Sequence, residues 1–307
     1  MNLSEIQIRD PFVLPLRERG EYFLFGSTDK NVWNGPGTGF DCYRSRDLVE
    51  WQGPFPAFRP PADFWGTTQF WAPEVHEFNG RCFMFATFKA DGHCRGTQIL
   101  GADLPEGPYL SWSDGPVTPP DWECLDGTLY IDVTGDPWMV FCHEWTQVCD
   151  GEMVAVRLSA DLKSALGEPT LLFHGSSAPW VRRLKGINPQ EIIGGKEIGP
   201  DPALYVTDGP FLHRTRNGSL LMLWSSFGDQ GYAMGMARSK SGNLLGPWTH
   251  EHEPLWKENG GHGMFFRAFD GELFVTLHQP NDTPNERGFF HRLEETPDSI
   301  RLADKYP

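Results

Sequence analysis

CLDGTLYID (residues 124–132), PWMVFCHEW (137–145) and GEMVAVRLS (151–159) follow one another as three apolar runs parted by turn residues. Each run has the length of a strand and favours β-branched or aromatic side chains, and the gaps hold Gly, Asp and Pro. The triplet reads as a meander of antiparallel strands. Its first run carries an acidic residue, Asp126, beside a glycine inside an otherwise apolar stretch.

The same order of parts recurs on both sides of it. Openings that pair a charged residue or histidine with Gly or Pro are IRDPFVL (8–14, Asp10), WAPEVHEF (71–78, Glu74), VTDGPFLHR (206–214, Asp208) and GGHGMFFRA (260–268, His262). Each leads into an aromatic-rich run: EYFLFGST, RCFMFATF, SLLMLWSSF and ELFVTLHQP. Third runs read FDCYRSRDL, GTQILGADL, GYAMGMARS and RGFFHRLE. The marked residues of the five openings stand 64, 52, 82 and 54 positions apart. Repeats of that size built from short strands are the signature of propeller blades, and no long amphipathic helical pattern interrupts them. The expected fold is all-β, a five-bladed β-propeller in one catalytic domain over residues 1–307. Uneven spacing is ascribed to insertions such as 180–201.

Composition agrees. The 307 residues include 13% aromatic side chains, 34 Gly and 26 Pro, the mixture of strand and turn formers that short strands require. A net charge of −15 argues against nucleic acid, whose binding depends on Lys and Arg neutralising phosphates. The six cysteines form no CxxC pair, and several lie in apolar runs where a free thiol packs as a small hydrophobe. No apolar stretch is long enough to span a bilayer. MNLSEIQIRDP lacks a basic stretch followed by an apolar run, so the expected location is cytoplasmic, or secreted or periplasmic if a leader has been lost.

In a propeller the first strand of each blade lines the central channel. Asp10, Glu74, Asp126, Asp208 and His262 should therefore converge. One Asp beside Gly or Pro is often only a turn former. Three in corresponding places (RDP, LDG, TDG) point instead to a pocket where crowding drives carboxyl pKa values apart. Glu74 could equally be satisfied by backbone N–H groups. Trp33, Phe70, Trp71 and Trp145 lie beside these openings, where aromatic faces stack on sugars or serve as packing.

RDP, WAPE, LDG, DGP and GGHG, in that order along nearly the whole chain, resemble glycoside hydrolase family 43. The family consists of five-bladed propellers that hydrolyse arabinose and xylose linkages. The resemblance implies Asp10 as general base, Asp126 as the aspartate that tunes the acid, and His262 near a central calcium ion. The expected substrate is an oligosaccharide or polysaccharide side chain, cut at a terminal arabinofuranose or xylose with inversion. Where the family usually has EGP, this chain has Asp208-Gly209-Pro210. Aspartate is shorter by about 1.5 Å, one carbon–carbon bond, so Glu144 of CHEW stands as the alternative acid. Expected substrate contacts are Trp33, Phe70, Trp71, Glu74, Glu144, Trp145 and His262. A galactofuranosidase, a phosphorylase and a non-catalytic sugar binder remain as alternatives. The phosphorylase needs phosphate-binding cations, and few basic residues (Arg9, Lys89, Arg95) adjoin the openings.

Overall fold

The computed structural model describes residues 1–186 and 202–303. Its twenty strands form five sheets of four, each a meander whose strands pair in chain order. Blade one holds β1 Arg9–Leu16, β2 Glu21–Ser27, β3 Phe40–Ser45 and β4 Trp51–Phe58. Blade two holds β5 Thr68–Phe78, β6 Arg81–Ala90, β7 His93–Ala102 and β8 Leu110–Pro116. Blade three holds β9 Cys124–Ile131, β10 Pro137–His143, β11 Glu152–Leu158 and β12 Ala165–His174, with a single helical turn, α1 Trp145–Val148, after β10. Blade four holds β13 Asp208–Arg214, β14 Leu220–Gly228, β15 Gly231–Ser239 and β16 Trp248–His250. Blade five holds β17 Gly261–Arg267, β18 Leu273–Gln279, β19 Arg287–Glu295 and β20 Ile300–Leu302. The chain is a five-bladed β-propeller.

Position in the blade explains the sequence of each strand. Second strands are covered on both faces by neighbouring blades, so β2 is buried at every residue and is apolar from Tyr22 to Gly26. Outermost strands such as β4 expose their middle residues. Between blades one and two, Phe58, Phe64, Phe70 and Phe88 pack edge to face, with Phe70 and Phe88 at 4.8 Å between ring centroids, and Phe40 lies tilted against them. Cys42, Cys82, Cys124 and Cys142 are buried free thiols, as their apolar runs suggest. The ring closes without exchanging a strand between first and last blades. Gln7 bridges to Arg287 on β19, Ile8 N–H donates to Glu286 O, and Arg287 Nε donates to Ser4 O at 3.0 Å. Among the described residues no helix is long and apolar enough to cross a membrane. Of the 180–201 insertion, residues 187–201 lie outside the described residues.

Candidate active site

All five inner strands carry a bulge at the same place. The residue there has a left-handed φ: +52° at Asp10, +45° at Ala72, +58° at Asp126, +49° at Gly209 and +49° at His262. Pairing with the second strand slips by one residue at each of these positions. The following residue is always Pro or Gly. Aspartate tolerates this backbone better than most residues because its short side chain bonds locally, and such outliers gather at functional sites.

The bulge turns each N–H away from its own sheet, and the previous blade receives it. Ala72 N donates to Ser27 Oγ at 2.8 Å, Asp126 N to Thr87 Oγ1 at 2.9 Å, and His262 N to Ser225 Oγ at 2.8 Å. Asp10 N closes the circle on His278 Nδ1 at 3.2 Å. Ser27, Thr87, Ser225 and His278 hold the same register position on their second strands. In blade three that position is Cys142, a weak acceptor, and Gly209 N donates instead to Asp126 Oδ2 at 3.0 Å. The second aspartate is thereby bonded to the amide that follows Asp208.

These side chains line a pocket of about 270 Å³ that includes Asp10, Asp126, Asp208, Glu144, His262 and an aromatic wall of Trp33, Trp71, Trp145 and Tyr232. Asp10 accepts from Ser27 Oγ at 2.7 Å, and His262 Nδ1 lies 3.2 Å from its other oxygen. Burial alone would raise its pKa, but His262 and Arg9 hold it at about 2. Asp126 is pushed well above the usual range by burial and by Asp10, against the pull of the Gly209 amide. Asp208 is half-buried at the pocket wall, where Tyr232 OH donates to its Oδ2 at 3.0 Å. Burial and then Asp126 raise its pKa to about 7. One carboxylate is thus ionised and another retains its proton near neutrality, within a single pocket.

A profile of Glycosyl hydrolases family 43 matches residues 3–296. The chain belongs to this family. The chain is also similar to proteins of known structure. The endo-arabinase of Bacteroides thetaiotaomicron VPI-5482 is 39% identical, covers 97% of this chain and 98% of its own, and superposes with a TM-score of 0.86. A thermostable family-43 glycoside hydrolase, 23% identical over 98% of this chain and 93% of its own, shares the fold with a TM-score of 0.78. Alpha-L-arabinofuranosidase 43 of Humicola insolens is 25% identical over 261 residues, 76% of this chain. The chain spans about half (50%) of that relative's length.

Within this family 43 site, most sequence candidates meet and two do not. Asp10, Asp126, Asp208, Glu144, His262, Trp33, Trp71 and Trp145 all line the pocket. Phe70 does not: it is 1% exposed inside the aromatic cluster between blades one and two. Glu74 lies two residues past the bulge at Ala72, out of line with Asp10, buried and bonded to His76 Nε2 at 3.2 Å. Asp208 also falls one residue before its bulge, so its carboxyl enters the pocket from a different backbone position than that of Asp10. Glu144 accepts from Arg95 and from Thr146 Oγ1 at 2.8 Å, the partners of an anion rather than of a proton donor.

The resemblance implies a calcium ion near His262, contacted chiefly through water. Calcium takes six to eight oxygen ligands, yet among the described residues no group of three His, Cys, Asp or Glu side chains is arranged to hold an ion. His262 turns Nδ1 to Asp10 and Asp126, at 3.2 and 3.7 Å. These residues do not form a calcium cage. Arg9, Lys89 and Arg95 are ion-paired with Glu286, Glu123 and Glu144, so none of the three is free for a phosphate. Sequence reasoning missed Ser27, Tyr232 and His278. Tyr232, from a third strand, lines the pocket, whereas Ser27 and His278, from second strands, are fully buried and act on it through their bonds to Asp10.

Proposed function

We propose that this chain hydrolyses glycosidic bonds of pentose sugars, arabinose first, in oligosaccharide or polysaccharide side chains. Asp10 is the general base that activates water, Asp208 is the general acid that protonates the departing oxygen, and Asp126 tunes that acid. The observation that carries the reading is the split between Asp10 at about 2 and Asp208 at about 7 in one pocket. Base and acid need these opposite protonation states near neutral pH. Inversion is the outcome we assign, with water entering on the Asp10 side and the alcohol leaving past Asp208. Relatives named arabinofuranosidase and endo-arabinase favour arabinose over xylose or galactofuranose. The terminal pentose is the unit we place against Asp10.

A screen of aryl arabinofuranoside, xyloside and galactofuranoside tests this together with Asp10→Asn. The arabinofuranoside should be turned over fastest. Asp10→Asn should lose about 10²–10⁴ in rate, the usual worth of a positioned base, while keeping its fold and its sugar affinity. An Asn variant within threefold (roughly) of the parent rate would remove Asp10 from the mechanism. Sugar phosphate in place of free sugar as product would favour the phosphorylase alternative.

A further inference from the structure

Arg95, on β7 of blade two, is 5% exposed and does not line the pocket. Its guanidinium nevertheless braces two walls that do. Nη1 donates to Glu144 Oε2, and the guanidinium lies 4.5 Å from the Trp71 ring. Nε and Nη2 both donate to Gln69 Oε1, at 3.0 and 2.9 Å. Gln69 and Trp71 belong to β5 of the same blade, whereas Glu144 follows β10 in blade three. One planar fork therefore serves three partners at once, which a point-charge ammonium cannot do.

Each partner passes the constraint on. Glu144 takes both of its bonds on Oε2, the second from Thr146 Oγ1 at 2.8 Å, so among the described residues Oε1 is the oxygen left for a sugar hydroxyl. Trp71 is pinned at its far edge, where Nε1 donates to Val32 O at 2.6 Å. Gln69 Nε2 donates to Trp33 O at 3.2 Å, which ties the loop after β2 to the same guanidinium. Three blades meet through it.

Arg95 is itself held from behind. Its N–H donates to Glu123 Oε2 at 3.0 Å, and Lys89 Nζ donates to both Glu123 oxygens, at 2.7 and 2.9 Å. Lys89 neutralises Glu123, so the Arg95 charge is matched to Glu144. A carboxylate and an indole fixed in advance cost less entropy when a sugar binds than loose ones would.

We propose that Arg95 is the positioning residue of the sugar pocket, setting Glu144 Oε1 and the Trp71 ring in the pose that receives the sugar while never touching it. The assignment rests on the pentosidase reading above and adds a residue behind the wall to those that line it.

Calorimetry on the Asp10→Asn protein tests it, with arabinose and xylose as the ligands. Arg95→Lys keeps a countercharge beside Glu144, so the fold should survive, but Gln69 and Trp71 lose their brace. The better-bound sugar should lose about tenfold in affinity. On a background of Trp71→Ala with Glu144→Gln the same change should cost less than about twofold, because the side chains it acts through are gone. Where that background binds too weakly for calorimetry, kcat/KM on an aryl arabinofuranoside with Asp10 restored gives the same comparison. Equal losses in the two backgrounds overturn the assignment, as does unchanged affinity in the first or no binding of either sugar. Should Arg95→Lys fail to fold, Arg95→Met joined to Glu144→Gln removes both charges together. Against Glu144→Gln alone it should weaken the sugar about threefold through Trp71, and equal affinities would overturn the idea. Turnover by the unsubstituted protein separates the two readings. Sugar binding that depends on Arg95 without cleavage would sink the hydrolase and leave the positioning role standing, whereas cleavage with affinity indifferent to Arg95 would do the reverse.

Discussion

At Asp208, the Tyr232 hydroxyl and the neighbouring charges pull in opposite directions. Burial and Asp126 keep the proton on, while the bond from Tyr232 favours the ionised form. An acid must be protonated to act, so kcat/KM on an unactivated oligosaccharide should fall as pH rises through about 7. Asp10, ionised down to about 2, should impose no loss on the acid side until pH nears that value. Tyr232→Phe removes a donor to the carboxylate, so the alkaline limb should move to higher pH and the plateau should drop. A limb that stays in place or moves down would contradict the geometry. Asp10, Asp126 and Asp208 were legible because each interrupts an apolar run beside Gly or Pro. Tyr232 was not, since it opens a third run like any other strand aromatic. Phe70 misled because an aromatic beside an opening looks alike in a pocket and in a core.

The bulge of the inner strand explains why these blades need such openings. A left-handed residue followed by Pro or Gly frees one N–H per blade, and four of the five land on the previous blade's second strand. Blade three departs from the pattern at Cys142, and the departure binds Gly209 N to Asp126. A serine at this position would sit where Ser225 sits in blade four and would compete for that amide. Cys142→Ser should therefore leave Asp126 with a poorer hold on its charge, weaken the push of that charge on Asp208, and move the alkaline limb to lower pH. Cys142→Ala, with no acceptor, should leave the limb near its original place. Coincident profiles for serine and the parent would show that the thiol has no such role. The openings were visible in sequence, but their alignment was not. Counting charged residues put Glu74 and Asp208 level with Asp10, whereas backbone angles align Ala72 and Gly209 with it.

Across the whole molecule, function follows from bringing distant segments to one axis. Asp10, Asp126 and Asp208 come from blades one, three and four, and His278 and Asn281 arrive from blade five. Repetition made the blade count readable from sequence, since second strands buried on both faces carry long apolar runs. Closure was not readable, because a bridge at Gln7 and a few hydrogen bonds leave no pattern. Metal content was inferred from resemblance alone. The proposed chemistry turns on Asp208, a shorter side chain than the family's usual glutamate, donating the proton. Leaving-group dependence tests that most directly. Asp208→Asn should lose about 10²–10⁴ on an unactivated arabino-oligosaccharide and far less on an aryl arabinofuranoside with a good leaving group, which needs little protonation. Equal losses on the two substrates would contradict it, as would a selective loss appearing in Glu144→Gln instead.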